Sequence, residues 1–231
     1  MKAALYAGIF EKERRQEYPS IDAVERGLGF AVNRNELEAA ARVLACPLKV
    51  HAPNWQHGRV IYATARKYLL TGVPVMLDIG TAKGFSACVM SWALRDAGIA
   101  GEVVSIDIVD PLERVRRNSV AELDGLRTVP EFVDSFRACE ITFLGGGSLP
   151  WLDRATLDNR RVGFAFIDGK HSFEAVQAEC RLLPLLQQPG DVVIFDDLQI
   201  EPVARAVATL RGYEITEMRT QVRRYAIAVR Q

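Results

Sequence analysis

The sequence predicts an α/β fold, with a doubly wound, mainly parallel sheet, a terminal antiparallel hairpin and a small N-terminal helical cap. Three observations predict it. Short apolar runs alternate with helical segments from about residue 74 onward, which is typical of βαβ units. These runs are apolar along their whole length, as strands buried between two helical layers are. The last two strand patterns lie too close together for a crossover helix, which indicates a hairpin.

The N-terminal part of the chain precedes the first convincing strand. Residues 1–33 show no regular periodicity, because prolines and glycines interrupt it. Apolar spacing predicts helices over residues 34–45 and 57–70. We therefore expect residues 1–53 to form a helical cap segment and residues 54–231 to form the main domain.

Seven strand patterns follow. The first ends at Gly80, and the others read EVVSIDIVD, ITFLG, VGFAFID, DVVIFDD, YEITEM and RRYAIAVR. Helices are predicted after several of them, at about residues 85–98, 112–123, 130–138, 172–187 and 201–211. Crossover helices between parallel strands, followed by a hairpin, describe a doubly wound sheet with one reversed strand.

The composition excludes several classes of protein. The 231 residues carry 29 basic and 29 acidic side chains, and 49% are hydrophobic, so a disordered chain is excluded. No basic excess is present to neutralise phosphates, which argues against nucleic acid as a partner. No apolar stretch is long enough to span a membrane. The start of the chain lacks a signal cleavage site, and the four cysteines are scattered, so we expect a cytoplasmic protein with reduced thiols.

A glycine-containing turn follows the first strand. Its candidate cofactor-binding residues are Asp78, Gly80, Thr81, Gly84, Phe85 and Ser86. Glycines at such a turn let a ligand approach, and the start of the next helix offers free N–H groups. A dinucleotide fingerprint would have glycine at the position of Ala82, so the turn favours a ligand without a pyrophosphate. A purely structural turn is the alternative.

An acidic residue ends the second strand. Asp107 lies 23 residues beyond Gly84. In nucleotide-binding α/β folds, an acid at about this distance accepts hydrogen bonds from ribose hydroxyls. The alternative is a surface acid that caps the following segment. Together with the glycine turn, the ribose role is the favoured interpretation.

The chain resembles class I S-adenosylmethionine-dependent methyltransferases in DIGTAKG, VVSIDIVD, the hairpin, and FIDGKHSFEAVQAECRLLPLLQQPGDVVIFDDL. It is most similar to the metal-dependent small-molecule O-methyltransferase branch, which includes the macrolide-sugar and catechol enzymes. The resemblance covers about residues 54–229. It implies a Rossmann-like sheet with strand order 3-2-1-4-5-7-6, S-adenosylmethionine as methyl donor and a small-molecule hydroxyl as acceptor.

Acidic residues also end the fourth and fifth strands. Asp168 ends the fourth, and Asp196 and Asp197 end the fifth. Because the ends of parallel strands converge at one edge, these carboxylates would repel one another without a cation between them. Oxygen ligands of this kind suit Mg²⁺ or Mn²⁺, and the resemblance implies a divalent ion that binds the substrate hydroxyl. The Asp-Asp pair is closer to the sugar-modifying relatives than to the Asp-Asn of the catechol enzymes. Helix capping is the alternative.

The resemblance implies further site residues. Relatives carry a lysine or histidine general base near the position of His171, and the adjacent Lys170 is the alternative base. Unperturbed imidazole is largely neutral at physiological pH whereas lysine side chains are charged, so we expect His171 to act, although a structural helix-start role stays open. Asp168 is expected to contact the cofactor as well. Gly147 and Ser148 would contact its adenine, with a flexible loop as an equal alternative.

The sequence also suggests places for residues 51–59 and for three arginines, and it leaves two alternative functions open. The segment HAPNWQHGR, residues 51–59, is expected over the methionine end of the cofactor and the acceptor, or else forms a capping turn. Arg114, Arg116 and Arg117 are expected on an exposed helix. A nicotinamide-dependent oxidoreductase and a non-catalytic nucleotide-binding module remain alternative functions. The sequence leaves open whether the chain forms a homo-oligomer.

Overall fold

The computed structural model describes residues 2–47, 55–69, 75–221 and 223–231. Seven strands form one sheet in the order β3-β2-β1-β4-β5-β7-β6. The strands are β1 Val75–Ile79, β2 Glu102–Asp107, β3 Ile141–Gly145, β4 Val162–Ile167, β5 Val192–Phe195, β6 Tyr213–Arg219 and β7 Arg224–Arg230. The first five are parallel, and β7 runs antiparallel to both β5 and β6. The predicted fold and strand order are confirmed.

Burial explains why these residues form strands. Every residue of β1, β4 and β5 is buried, because helices cover both faces of the sheet and both faces therefore have to be apolar. The edge strand β6 is mostly exposed, and its sequence accordingly mixes polar with apolar residues.

Helices surround the sheet. Those before β1 are α1 Lys2–Arg14, α2 Pro19–Leu28, α3 Arg34–Leu44 and α4 His57–Tyr68, and those after it are α5 Phe85–Ala97, α6 Val129–Val133, α7 Ser148–Leu157, α8 Phe173–Leu186 and α9 Glu201–Val207. Sequence signals set their ends. The Asn33 side chain, for example, accepts hydrogen bonds from the backbone N–H groups of Asn35 and Glu36 and so caps the start of α3. Among the helices in the described residues, none combines the length and apolar content needed to cross a bilayer.

The N-terminal cap is more regular than the sequence suggests. The lack of periodicity over residues 1–33 hides two helices, α1 and α2. Pro19 does not break a helix but begins α2, where its missing N–H costs nothing. Gly29 ends α2 in the left-handed conformation, with φ of 82°. Both residues therefore mark helix boundaries.

In the segment after β2 the sequence predicts more helix than the structure contains. A helix was expected over 112–123, but the structure has only a 3₁₀ helix, Val120–Asp124, which begins where Ser119 forms a capping box with Glu122. Arg114, Arg116 and Arg117 therefore lie outside a helix. The helix expected over 130–138 shortens to α6, and that over 201–211 ends at Val207.

Two apolar cores lie on opposite faces of the sheet. The first joins the cap to α4 and α5, and its members include Phe10, Leu37 and Trp92. The second lies under α7, α8 and α9 and includes Leu183 and Phe195. The cap thus shares a core with the sheet. Cys46, Cys88 and Cys180 are buried, and Cys139 is only partly buried.

Buried charges also join the cap to the sheet domain. The guanidinium of Arg59 on α4 forms ion pairs with Asp22 and Glu25 on α2, and Arg34 pairs with the same Glu25. Arg59 and Glu25 are almost fully buried. Removing one partner would leave a buried charge unpaired, at a cost of about 3–5 kcal/mol. These pairs therefore fix α2 against α4.

A buried carboxyl lies between α7 and α8. The hydroxyl of Ser148, the first residue of α7, donates a hydrogen bond of 2.6 Å to Glu179 on α8. Burial raises the pKa of Glu179 from its ordinary value of 4.5 to about 7, and the hydrogen bond opposes this only in part. Because the folded state holds this proton more tightly than the unfolded state, stability falls as pH rises from about 4.5 to 7.

We expect Glu179→Gln to remove this pH dependence. Between pH 5 and pH 8 the wild-type protein should lose about 2–3 kcal/mol of unfolding free energy relative to the variant, as measured by urea denaturation. Glu174→Gln, at an exposed position of the same helix, is the matched control and should show no such difference. A constant gap between wild type and Glu179→Gln across this range would contradict the burial argument.

Candidate active site

The candidate site lies where the carboxyl ends of β1, β2, β4 and β5 meet. Ile167 at the end of β4 pairs with Phe195 at the end of β5, so the acids that follow these two strands leave the sheet at the same level. A cleft of about 160 Å³ opens at this edge. Its wall includes Gly80, Thr81, Ser86, His57, Asp168 and Arg223.

The glycine turn is shaped by the close approach of two strand ends. Gly80 has φ of +105°, and a Cβ atom at this position would lie 2.2 Å from the carbonyl oxygen of Asp168. The backbone of Asp168 is itself held to β1, since its N–H donates to the carbonyl of Ile79 at 2.8 Å. From the sequence, Gly80 was expected to let a ligand approach the turn. The structure gives it a second role, because a side chain at this position would keep the ends of β1 and β4 apart.

The rest of the turn leads into α5. Gly84 precedes the first helical residue, and Phe85 and Ser86, which open the helix, are buried and line the cleft. Of the turn residues predicted from the sequence, Gly80, Thr81, Phe85 and Ser86 line the cleft, whereas Asp78 and Gly84 do not.

A chain of buried hydroxyls lies beneath the turn. Ser105 donates to Oδ2 of Asp78 at 2.6 Å, and its oxygen lies 2.7 Å from the Thr81 hydroxyl. Asp78 is fully buried, and burial raises its pKa to about 7. Its Oδ1 has no hydrogen-bond partner among the described residues. The turn thus contains a buried acceptor oxygen that a bound donor group could satisfy.

Asp107 holds the turn from the neighbouring strand. Its Oδ2 accepts the N–H of Ala82 at 2.8 Å, and its Oδ1 accepts the N–H of Val109 at 2.9 Å. Ala82 has the left-handed φ of +46° at the position where a dinucleotide fingerprint has glycine. Asp107 is only partly buried, and each carboxylate oxygen has a second lone pair. It therefore caps the local backbone, and its carboxylate can still accept further hydrogen bonds at the carboxyl end of β2.

The glycine run that follows β3 agrees only in part with the contact to the cofactor's adenine that was predicted for Gly147 and Ser148. Gly146 lies beside the turn, because its N–H donates to the carbonyl of Asp107 at 2.8 Å. Gly147 precedes α7, and the Ser148 hydroxyl bonds to Glu179 on α8. The Ser148 hydroxyl therefore uses its hydrogen on Glu179, and the contact of Ser148 with a ligand stays a prediction. Ile108, the residue after Asp107, is 81% exposed. It presents an apolar surface beside Asp107 that the sequence analysis did not identify.

The segment 51–59 is described only from Trp55 onward, and the part of the prediction that falls on residues 51–54 lies outside the described residues. Trp55 is buried and stacks on Phe10 of the cap. His57 lines the cleft, with its ring parallel to that of Phe166 at 6.1 Å. This segment thus contributes His57 to the cleft.

Asp168, which lines the cleft, forms a cluster with His171 and Asp197. The Nε2 atom of His171 lies 3.3 Å from Oδ1 of Asp168 and 3.4 Å from Oδ2 of Asp197. The three side chains place one potential metal ligand each within 4.8 Å of one another. The hydrogen bond with Asp168 raises the pKa of His171, the charges of Asp168 and Asp197 add to this, and burial opposes it. Lys170 is exposed.

Asp196 does not join this cluster, which corrects the predicted metal-ligand set of Asp168, Asp196 and Asp197. Its side chain is fully buried, its Oδ1 accepts the N–H of Asp197 at 2.6 Å, and its Oδ2 forms an ion pair with Arg223. Asp197 has a left-handed φ of +55°, so the chain is no longer extended here. The Asp197 side chain lies near both His171 and Arg223, whereas that of Asp196 is buried against Arg223 and the backbone.

Arg223 is the site residue that the sequence analysis missed. Besides Asp196, its Nη1 lies 3.3 Å from Oδ1 of Asp197 and 3.7 Å from Oδ2 of Asp168. Burial alone would lower the pKa of Arg223, but the three carboxylates raise it. A signal existed: Arg223 immediately precedes β7, and a strand running antiparallel to β5 must begin near the carboxyl end of β5.

Comparison with known proteins agrees with this geometry. The sequence matches a family described as "Methyltransferase domain" over residues 77–198, more than half of the chain. The chain belongs to this methyltransferase family. A methyltransferase is thereby favoured over the oxidoreductase and the non-catalytic module. A search of curated protein sequences found no match.

Solved structures show the same fold. The O-methyltransferase TomG from Streptomyces achromogenes, in complex with SAM (S-adenosylmethionine), is 18% identical, with coverage of 87% of this chain and 92% of TomG and a TM-score of 0.58. An O-methyltransferase from Bacillus cereus in complex with SAH (S-adenosylhomocysteine) is 16% identical, with 94% and 93% coverage and a TM-score of 0.56. CalS11, a TDP-rhamnose 3′-O-methyltransferase of calicheamicin biosynthesis, is 13% identical, with 92% and 93% coverage and a TM-score of 0.55.

The contact at Gly80 leads to a stability prediction. Gly80→Ala should lower the free energy of unfolding by about 2–5 kcal/mol, because the methyl group meets backbone and the φ angle is strained. Gly98→Ala is the control: Gly98 also has positive φ, +67°, but nothing lies within 4 Å of its missing Cβ. Its loss should be about 1–2 kcal/mol. Equal losses in urea denaturation would show that the Asp168 carbonyl is not the constraint.

Proposed function

We propose that this chain transfers a methyl group from S-adenosylmethionine to a hydroxyl group of a small molecule, with His171 as the general base. One observation carries the proposal. The glycine turn, held by Asp107, and Asp168, which pairs with His171, border the same cleft at the sheet edge. A donor-binding element and a proton acceptor are therefore adjacent.

The turn has the chemistry that the donor needs. S-adenosylmethionine, when bound, supplies an electrophilic methyl group on a sulfonium. The buried, unpartnered Oδ1 of Asp78 suits the ammonium group of its methionine end, and the partly exposed carboxylate of Asp107 suits the ribose hydroxyls. The start of α5, at Phe85 and Ser86, offers free N–H groups for the carboxylate. Exposed Ile108 offers a surface for the purine ring.

The chain itself has two tasks in the reaction. The cleft must hold the acceptor oxygen at attack distance and in line, which can contribute several kcal/mol. Because Nε2 of neutral His171 carries the hydrogen that it donates to the carboxylates, Nδ1 is the atom that then accepts the hydroxyl proton, a step that typically contributes 10²–10⁴-fold. Asp168 and Asp197, which flank Nε2 at 3.3 and 3.4 Å, stabilise the imidazolium that forms.

The divalent cation implied by the sequence resemblance fits these residues poorly. Asp168 and Asp197 each direct one oxygen toward His171 and the other toward Arg223. Asp196 has both oxygens engaged with Arg223 and the backbone. A divalent ion bound there would lie next to a fixed positive charge and would have to displace it. No step of the proposed reaction involves a metal ion.

The donor assignment is tested by calorimetry with S-adenosylhomocysteine. Asp107→Ala should weaken binding by about 1–3 kcal/mol, through loss of charge-assisted hydrogen bonds. Asp124→Ala, which removes an exposed acid from the 3₁₀ helix after β2, is the control and should bind as the wild type does. Unchanged affinity in Asp107→Ala would refute the ribose role.

The base is tested by turnover with panels of phenols, catechols and sugars. His171→Ala should lower turnover by roughly 10²–10⁴-fold with donor affinity little changed, and Lys170→Ala should do much less. Wild-type turnover should rise with pH as His171 loses its proton. Its raised pKa places this rise above pH 6.5, and the rise should be absent in His171→Ala. The opposite ranking of the two variants would transfer the role to Lys170.

A further inference from the structure

We propose that the guanidinium of Arg223 supplies, from within the chain, the positive charge that the carboxylates at this sheet edge need, and that methyl transfer here requires no divalent cation. The part that concerns catalysis rests on the proposed function. The part that concerns the charge of the cluster rests on the contacts of Arg223 alone.

A single nitrogen of Arg223 contacts all three acids. Nη1 forms an ion pair with Asp196 and lies 3.3 Å from Asp197 and 3.7 Å from Asp168. This is the position between the three carboxylates where the sequence argument required a cation. The electrostatic reason for expecting a metal ion is therefore met by a side chain.

The position of Arg223 is fixed by its ion pair with the buried side chain of Asp196. The carboxylate of Asp196 is fully buried, and its other oxygen is held by the backbone N–H of Asp197 at 2.6 Å. Only 21% of the Arg223 side chain is exposed. Moving the guanidinium away would leave a buried carboxylate without its partner, which is strongly unfavourable. Arg223 is thus part of the site's framework.

Arg223 also determines how Asp168 and Asp197 are presented to His171. Each of these carboxylates has one oxygen near Arg223 and the other near Nε2 of His171. The arginine therefore fixes the orientation of both acids, and through them that of the imidazole. We assign it the role of a positioning residue, which acts on the acceptor through His171.

The experiment compares four proteins after exhaustive dialysis against a chelator: wild type, Arg223→Met, Arg223→Lys and Arg224→Met. Arg224 is the matched control, since it is the adjacent arginine but pairs with Glu217 on the hairpin at 2.6 Å. Binding of Mn²⁺ is measured by electron paramagnetic resonance, and methyl transfer is measured with and without added Mn²⁺ or Mg²⁺. Affinity for S-adenosylhomocysteine and the free energy of unfolding report whether each variant is folded.

We expect the dialysed wild type to retain full turnover and to bind no Mn²⁺. Arg223→Met should lose roughly 10–100-fold in turnover, gain a Mn²⁺ site, and recover turnover when the ion is added. Adding Asp197→Asn to this variant should abolish the new site. Arg223→Lys keeps the charge, so it should stay within about tenfold of wild type and bind no Mn²⁺. Arg224→Met should match the wild type.

Two results would overturn the inference. One is a wild type that binds Mn²⁺ and loses turnover on dialysis until Mg²⁺ or Mn²⁺ is restored. The other is a folded Arg223→Met that keeps its turnover and gains no Mn²⁺ site. If Arg223→Met does not fold, Arg223→Gln is used with the same criteria. Failure of the proposed function is separate: it would show as no methyl transfer by any protein, while Mn²⁺ binding still decides the role of Arg223.

Discussion

Repulsion between like charges is the constraint on which this site depends. Parallel strands send their carboxyl ends to one edge of the sheet, and in this chain five of the residues there are acids: Asp78, Asp107, Asp168, Asp196 and Asp197. A buried hydroxyl stabilises Asp78 and backbone N–H groups stabilise Asp107, whereas Asp168, Asp196 and Asp197 share the guanidinium of Arg223, and Asp168 and Asp197 also share the imidazole of His171. The arrangement of side chains at this edge gives each carboxylate a hydrogen-bond or ion-pair partner.

Close packing of backbone adds a second requirement. The ends of β1 and β4 approach so closely that only glycine fits at position 80. The same approach brings Asp168, and with it His171, next to the turn that we propose holds the methyl donor. The close approach of the two strand ends thus sets the distance between the proposed donor site and the proposed general base.

The sequence predicts the sheet well and the segments around it less well. Strands buried on both faces are apolar throughout, so β1, β4 and β5 are evident from composition alone. The helix α2 was missed because its boundary residues, Pro19 and Gly29, also interrupt periodicity, and α1 was missed because its apolar residues do not follow one helix face. The helix expected over 112–123 was wrong because a capping box at Ser119 begins a helical turn late in that segment.

In the site, the rule that parallel strands converge at one edge correctly brought Asp168 and Asp197 together. It could not give the direction of Asp196, which is held by Arg223 and by the backbone N–H of Asp197, nor the arrival of Arg223 from β7. The latter requires the strand order as well as the motif, because Arg223 is 26 residues beyond Asp197 in sequence. Contacts of this kind belong to topology rather than to local pattern.

The buried carboxyl of Asp78 has a thermodynamic consequence. With a pKa of about 7, this group holds its proton in a sizeable fraction of the molecules near neutral pH. A ligand that brings an ammonium group to Oδ1 favours the ionised form, so its binding expels that proton. The apparent affinity would then increase with pH, and the heat of binding would depend on the ionisation enthalpy of the buffer that takes up the proton. Burial of one side chain thereby couples the occupancy of the cleft to the acidity of its surroundings.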